Sequence, residues 1–192
     1  RLADRHHPEI RPFDAQGRRL NEVEFHPAYH ELMSMAMKGR IHNLAWHHAG
    51  KPGAHAAQMA KAFLFNQTEG GVSCPMAMTY AVYPALQAQE SVLEPLKDLL
   101  LSDEYDRRSI PMLEKTGMTM GMFMTEKQGG SDVRSNSTQA VPLGTKTGIG
   151  SEYLLSGHKY FCSAPMCDAF LTLFHRRLVL LSHPALATRW AA

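Results

Sequence analysis

The hydrophobic period of this 192-residue chain changes once, at Gly117, and that change limits the fold more than any other feature. Before it, apolar residues return every three or four positions. After it, Met118, Met120, Met122 and Met124 return every second position, which puts all four on one face of an extended strand. Such a chain packs helices against a sheet. The fold class read from the pattern is α+β: an N-terminal all-α helical domain over residues 1–116, then the start of an antiparallel β-barrel or sheet domain over 117–174.

In the first part, residues 1–27 are polar and Pro-containing and are expected to form an extended entry segment. Pro27 suits the first turn of a helix and Gly39 its end, with Ala28, Leu32, Met35 and Ala36 at helical spacing between them. A second helix is expected over 54–68, with Ala57, Ala60, Phe63 and Leu64 on one stripe and Gly70 and Gly71 closing it. A third, over 75–89, is apolar nearly all round, as a helix buried between others is. Pro84 is expected to kink it or end it early, because proline lacks the N–H and clashes with the preceding turn. Residues 91–101 give a shorter helix and 103–111 a charged turn.

Beyond Gly117, GMTMGMFMTE has two glycines among alternating small and large residues, which suits a strand better than a helix. Segments 135–143 and 153–164 are expected as short strands around the turn-rich 144–151, and 169–174 as a third. From Phe174 onward the chain has no Asp, Glu or Gly and fits poorly with the hairpin expected next. Residues 175–192 are therefore read as an aberrant tail, as a frame change or truncation would leave. Residue 1 is not Met, so the chain reads as a fragment.

A net charge of +2 is too mild to argue for nucleic acid, since the Lys and Arg residues are scattered. Three cysteines, Cys74, Cys162 and Cys167, at unhelpful spacings give neither a disulfide framework nor a zinc knuckle, and a reducing cytoplasm is the default expectation. No uninterrupted apolar run approaches the roughly 18 residues that suggest a membrane span. His26 and His30 are four apart and could share a metal, yet no carboxylate completes the set; they are read as packing or surface residues, with no metal site expected. Twelve methionines suit a helical core or a cofactor pocket equally well.

The stretch richest in chemistry is MTEKQGGSDV, Met124 to Val133. Gly129 and Gly130 allow a tight turn with exposed N–H groups, and Ser131 adds a hydroxyl, a combination that accepts phosphate. By spacing alone, GGSD is more often a plain surface turn. Cys162 beside Ser163 could suggest a reactive thiol, but on an expected buried strand it reads as a small hydrophobe.

Taken whole, the decapeptide resembles the flavin-binding signature TExxxGSD of the acyl-CoA dehydrogenases, here Thr125, Glu126, Gly130, Ser131 and Asp132. GHKYFCS, Gly157 to Ser163, is similar to the family's second signature, GxKxWIT. With NEVEFHPAYHELM and SCPMAMTYAVYPAL, the likeness is to the AidB branch and covers roughly Leu20 to Leu173. The resemblance implies FAD as cofactor. It implies that Thr125 bonds the pyrimidine edge of the flavin, that Gly130 belongs to the cofactor-binding turn, that Ser131 sits near the pyrophosphate or acyl ligand, and that Met122, Phe123 and Met124 supply backbone and apolar walls. It also places Phe161 where relatives stack a Trp, Cys162 beside it, and Ser163 facing flavin N5. Glu126 and Asp132 are read as bracing the turn. The resemblance further implies an acyl-CoA ligand, a homotetramer, and duplex DNA binding through a C-terminal domain that this chain does not contain. The catalytic Glu of the family lies in that same domain, so no catalytic residue is assigned here.

Overall fold

The computed structural model describes residues 2–174 and, as backbone, 177–182. After a short helix α1 (Leu2–Arg5), the entry segment is a β-hairpin, with β1 (Glu9–Phe13) antiparallel to β2 (Arg19–Glu24). The first 116 residues are therefore not purely helical. Asp14 turns the chain by accepting the N–H groups of Gln16 and Arg18 on one carboxylate oxygen, and Gly17 takes a left-handed φ of 78°.

The helices follow as α2 (Pro27–Lys38), α3 (Leu44–His47), α4 (Ala54–Asn66), α5 (Gly70–Gln87), α6 (Glu90–Leu93) and α7 (Lys97–Leu100). Pro27 does open α2, after His26, whose ring Nδ1 accepts the N–H of Ala28. Gly70 and Gly71 do not close α4. They begin α5, because the Glu69 carboxylate accepts the N–H groups of Gly71 and Val72 and thereby caps a new helix. Nor is the stripe foreseen for α4 buried: Phe63 and Leu64 are 69% and 66% exposed, and the buried side chain is Gln58. Gln58 accepts the N–H of Ala45 and donates to the carbonyl of Ile41, which pins α4 to the turn before α3.

Pro84 neither ends α5 nor breaks it into two helices. Proline at 84 leaves the carbonyl of Tyr80 without its intrahelical donor, and the indole N–H of Trp46 fills that place at 3.0 Å. A partner from another element thus satisfies the freed acceptor, and the helix runs on to Gln87. Pro95 separates α6 from α7, where one helix over 91–101 was expected.

The β part comprises β3 (Met120–Phe123), β4 (Gln139–Pro142), β5 (Tyr153–Ser156), β6 (Ala169–Phe174) and β7 (Arg177–Ser182). β4 and β5 form an antiparallel pair; β3, β6 and β7 form a second sheet in that order. That sheet is mixed, not purely antiparallel: β3 runs parallel to β6, and β7 antiparallel to it. β7 pairs antiparallel with β6, and of the tail 175–192 residues 175–176 and 183–192 lie outside the described residues. No closed barrel occurs among the described residues. Residues 157–164, expected to extend β5, are irregular, with Phe161 and Ala164 at φ values of 54° and 52°.

Helix and sheet share a core. Val82, Tyr83 and Leu86 of α5 meet Met118, Met120, Ala169 and Leu171, with Met122 and Met124 packed at its edge, so the four alternating methionines do line one side of the strand. On the other side, Phe170 lies against Gly121, where an added Cβ would overlap its ring. Close ring approach explains a glycine inside a strand. Thr79 joins the layers, donating to Pro75 O at 2.7 Å and accepting the N–H of Met120 at 2.9 Å. A second core packs α2 on α5 through Tyr29, Met33, Ala36, Met37, Val72 and Met76.

Candidate functional site

The chain leaves β3 at Phe123 and at once enters the first motif. Three consecutive carbonyls there are each held by a different neighbour: that of Phe123 by the Thr172 hydroxyl at 2.8 Å, that of Met124 by the Asn136 amide at 2.7 Å, and that of Thr125 by the N–H of Tyr160 at 3.0 Å. The last bond brings the second motif against the first. Beside it Glu126 bridges to Lys159, as an isolated β-bridge and as an ion pair of 3.0 Å.

Glu126 is 1% exposed. Burial works against its charge, but the Thr138 hydroxyl, the N–H groups of Ser137 and Thr138, and the Lys159 ammonium outweigh that and hold the carboxyl well below the usual carboxylate range. It is therefore an occupied acceptor and not a free base. Asp132 serves locally, its carboxylate accepting the N–H of Arg134 and its carbonyl the hydroxyl of Ser135.

Gly129 has a φ of 134°, a conformation that side-chain-bearing residues rarely adopt, and its N–H donates to the carbonyl of Glu126. Gly130 packs on Thr125, where a Cβ would stand 2.7 Å from the hydroxyl oxygen. Thr125 thus touches Gly130 on one side and Tyr160 on the other. Ser131, Phe161 and Ser163 are exposed close to these contacts in the chain. The hydroxyls of Thr125, Ser131 and Ser163 make no hydrogen bond among the described residues, and Phe161 is 73% exposed. Free hydroxyls, an open aromatic face and a glycine turn fit the polar rim, ring and diphosphate of a flavin dinucleotide.

The remaining candidates divide by the pleat of the strand. Met122 and Met124 are half-buried beside the helix–sheet core, whereas Phe123 is buried on the opposite side, stacked on Phe170 with ring centroids 4.2 Å apart. Cys162 packs half-buried against Phe123, Cys167 and Phe170, and burial pushes its thiol up. It lies in an irregular loop, not on the strand expected for it. Among the described residues no group of three or more His, Cys, Asp or Glu side chains could hold a metal ion.

The sequence reading missed three supports: Asn136, Thr138 and Thr172. None of the three carries a signal of its own: SNST is polar at every position, and only the fold buries Asn136 and Thr138 while leaving Ser135 and Ser137 exposed.

Comparison with known proteins places the chain in a family. Residues 1–107 match the family model described as "Adaptive response protein AidB N-terminal domain". The chain is 46% identical, over 90% of its length, to the "Putative acyl-CoA dehydrogenase AidB" of Escherichia coli K12, and 33% identical, also over 90%, to the "Acyl-CoA dehydrogenase family member 11" of Caenorhabditis elegans. It spans 31% and 27% of those two proteins. Two solved structures superpose on 88% of the chain at 30% identity. One is the apo form of Bd2924, with a TM-score of 0.75 over 32% of that protein. The other is C. elegans ACDH-11 in complex with C11-CoA, with a TM-score of 0.72 over 28%. The family model and the sequence identities together establish that the chain belongs to the AidB-like branch of the acyl-CoA dehydrogenase family.

Proposed function

We propose that this chain supplies part of the flavin and acyl-CoA site of an AidB-type acyl-CoA dehydrogenase-like flavoprotein, acting on CH–CH bonds of an acyl-CoA. The observation that carries the reading is the Tyr160 to Thr125 hydrogen bond, which sets the two signature segments side by side. When bound, FAD supplies a two-electron acceptor for hydride from the β carbon of an acyl chain. The residues of the chain would do the holding. Thr125 and Ser163 would present hydroxyls to the polar edge of the ring, Phe161 would pack on its face, and Met122, Phe123 and Met124 would supply backbone and apolar walls. Gly130 and Ser131 offer a hydroxyl and backbone N–H groups to the diphosphate. Cys162 contributes its backbone while its side chain stays in the Phe123–Phe170 cluster.

An acyl-CoA ligand is supported by the C11-CoA named with one structural neighbour. The general base, a homotetrameric assembly and a cytoplasmic location belong to the same proposal and concern the whole protein; among the described residues no helix is long and apolar enough to cross a membrane. The words "adaptive response" in the family description favour a second reading, a protein linked to DNA alkylation that binds duplex DNA outside this chain. One experiment separates the two. If the intact natural protein is an acyl-CoA dehydrogenase, anaerobic acyl-CoA bleaches its flavin band. A protective DNA-binding role predicts an unbleached flavin and duplex affinity that falls steeply with salt.

A further inference from the structure

Five donors meet the Glu126 carboxylate. The Ser137 N–H and hydroxyl reach Oε2 at 2.7 and 3.0 Å, and the Thr138 N–H, the Thr138 hydroxyl and Lys159 Nζ reach Oε1 at 3.0, 2.5 and 3.0 Å. Lys159 is itself fixed from a second side, donating to the carbonyl of Leu173 in β6. One buried charge therefore ties the first motif to the approach to β4, to the second motif and to the central strand of the mixed sheet. Bracing a turn takes far less, as Asp132 shows with one backbone N–H on its carboxylate.

The loop that Lys159 leads into needs a restraint. Phe161 and Ala164 both hold left-handed φ values, a conformation that costs non-glycine residues free energy and relaxes unless its surroundings enforce it. The Lys159 ammonium, with Glu126 on one side and Leu173 O on the other, and the Tyr160 N–H on Thr125 O are the anchors at its start. At its far end Ala164 O accepts the N–H of Cys167.

We propose that Glu126 is a positioning residue of the flavin site: acting through Lys159, it fixes the Phe161–Ser163 loop relative to Thr125 before any ligand arrives. This rests on the flavin reading above. The negative charge, and not merely the shape of the side chain, does the positioning, because only a carboxylate accepts all five donors and neutralises the buried ammonium.

The test titrates FAD into the intact natural protein by flavin fluorescence, for the unaltered protein and for Glu126→Gln, Lys159→Met, the double variant and Lys159→Arg. Apo-protein melting is recorded first, and all titrations run where every form is folded. Each of the first two substitutions is expected to weaken FAD by about tenfold, with the double variant no worse than the weaker-binding single one and Lys159→Arg recovering most of the loss. Amide exchange at Tyr160 to Ser163 is expected to speed up in Glu126→Gln while that of the α2–α5 core stays unchanged. If Glu126→Gln binds FAD as tightly as the unaltered protein, or if the two single losses multiply in the double variant, the inference is overturned while the flavin reading stands. If the unaltered protein takes up no FAD, the flavin reading itself falls and the inference with it.

Discussion

The indole N–H of Trp46 donates to the carbonyl of Tyr80 across 3.0 Å, and the two rings stack with centroids 5.0 Å apart. A residue outside the helix thus supplies the hydrogen bond that Pro84 cannot make. The helix it completes is the surface on which β3 and the first motif are built.

Replacing Trp46 with Phe keeps an aromatic ring for Tyr80 and Tyr83 but removes the donor. The Tyr80 carbonyl then lacks its partner, and a loss of about 1–3 kcal/mol is expected in urea unfolding. A change below about 0.5 kcal/mol would mean that the indole bond does not support α5.

Thr79→Val preserves shape and deletes the hydroxyl between α5 and β3. The buried N–H of Met120 loses its acceptor, so about 1–3 kcal/mol of stability should disappear. Because β3 leads straight into Thr125, faster amide exchange through Met120–Phe123 should accompany the loss.

Gly157 sits where an added Cβ would overlap the Thr138 hydroxyl and lie 2.7 Å from its Cα, a backbone atom that cannot swing aside. Gly157→Ala is accordingly expected to cost about 1–3 kcal/mol in thermal unfolding. Gly144→Ala, with nothing near its Cβ position, is the control and should change little.

His42 provides a pH test. It is 1% exposed, its Nε2 lies 3.1 Å from the carbonyl of Ser102, and Nδ1 has no partner among the described residues. The carbonyl can only accept, so the neutral ring carries its proton on Nε2. Burial is the main cause of a pKa lowered to about 4 from 6.5, against the opposing pull of the Ser102 carbonyl and Asp103. Between those two values the unfolded chain binds the extra proton and the folded one does not. Stability therefore falls as pH drops from 6.5 towards 4, by about 3 kcal/mol in all. His42→Gln should flatten this part of the stability curve; an unchanged slope would assign the acid sensitivity elsewhere.

Much of the architecture could be read from the sequence because local signals agreed with the tertiary outcome. Pro27 opened α2, the alternating methionines marked β3 and its packed side, and TEKQGGSD with GHKYFCS pointed to two segments that the fold sets in contact. Other features stayed hidden because a partner distant in sequence decided them. Pro84 reads as a helix breaker until Trp46 is seen beside it. Gly70 and Gly71 read as a stop because the Glu69 cap reverses their meaning, and Pro12 hides the strand that pairs with β2. GHKYFCS reads as a strand, yet Phe161 and Ala164 take left-handed turns that no period reveals. Asn136, Thr138 and Thr172 look like ordinary strand polars until the carbonyls and carboxylate that they serve are in place.

The most direct measurement is an FAD titration of the intact natural protein alongside Thr125→Val and Ser163→Ala, read by the visible flavin spectrum. Saturable uptake by the unaltered protein, with a perturbed flavin band and weaker binding in both variants, is the predicted result. Protein that stays colourless in excess FAD, or variants that bind it as tightly as the unaltered chain, would contradict a flavin site built from these two segments.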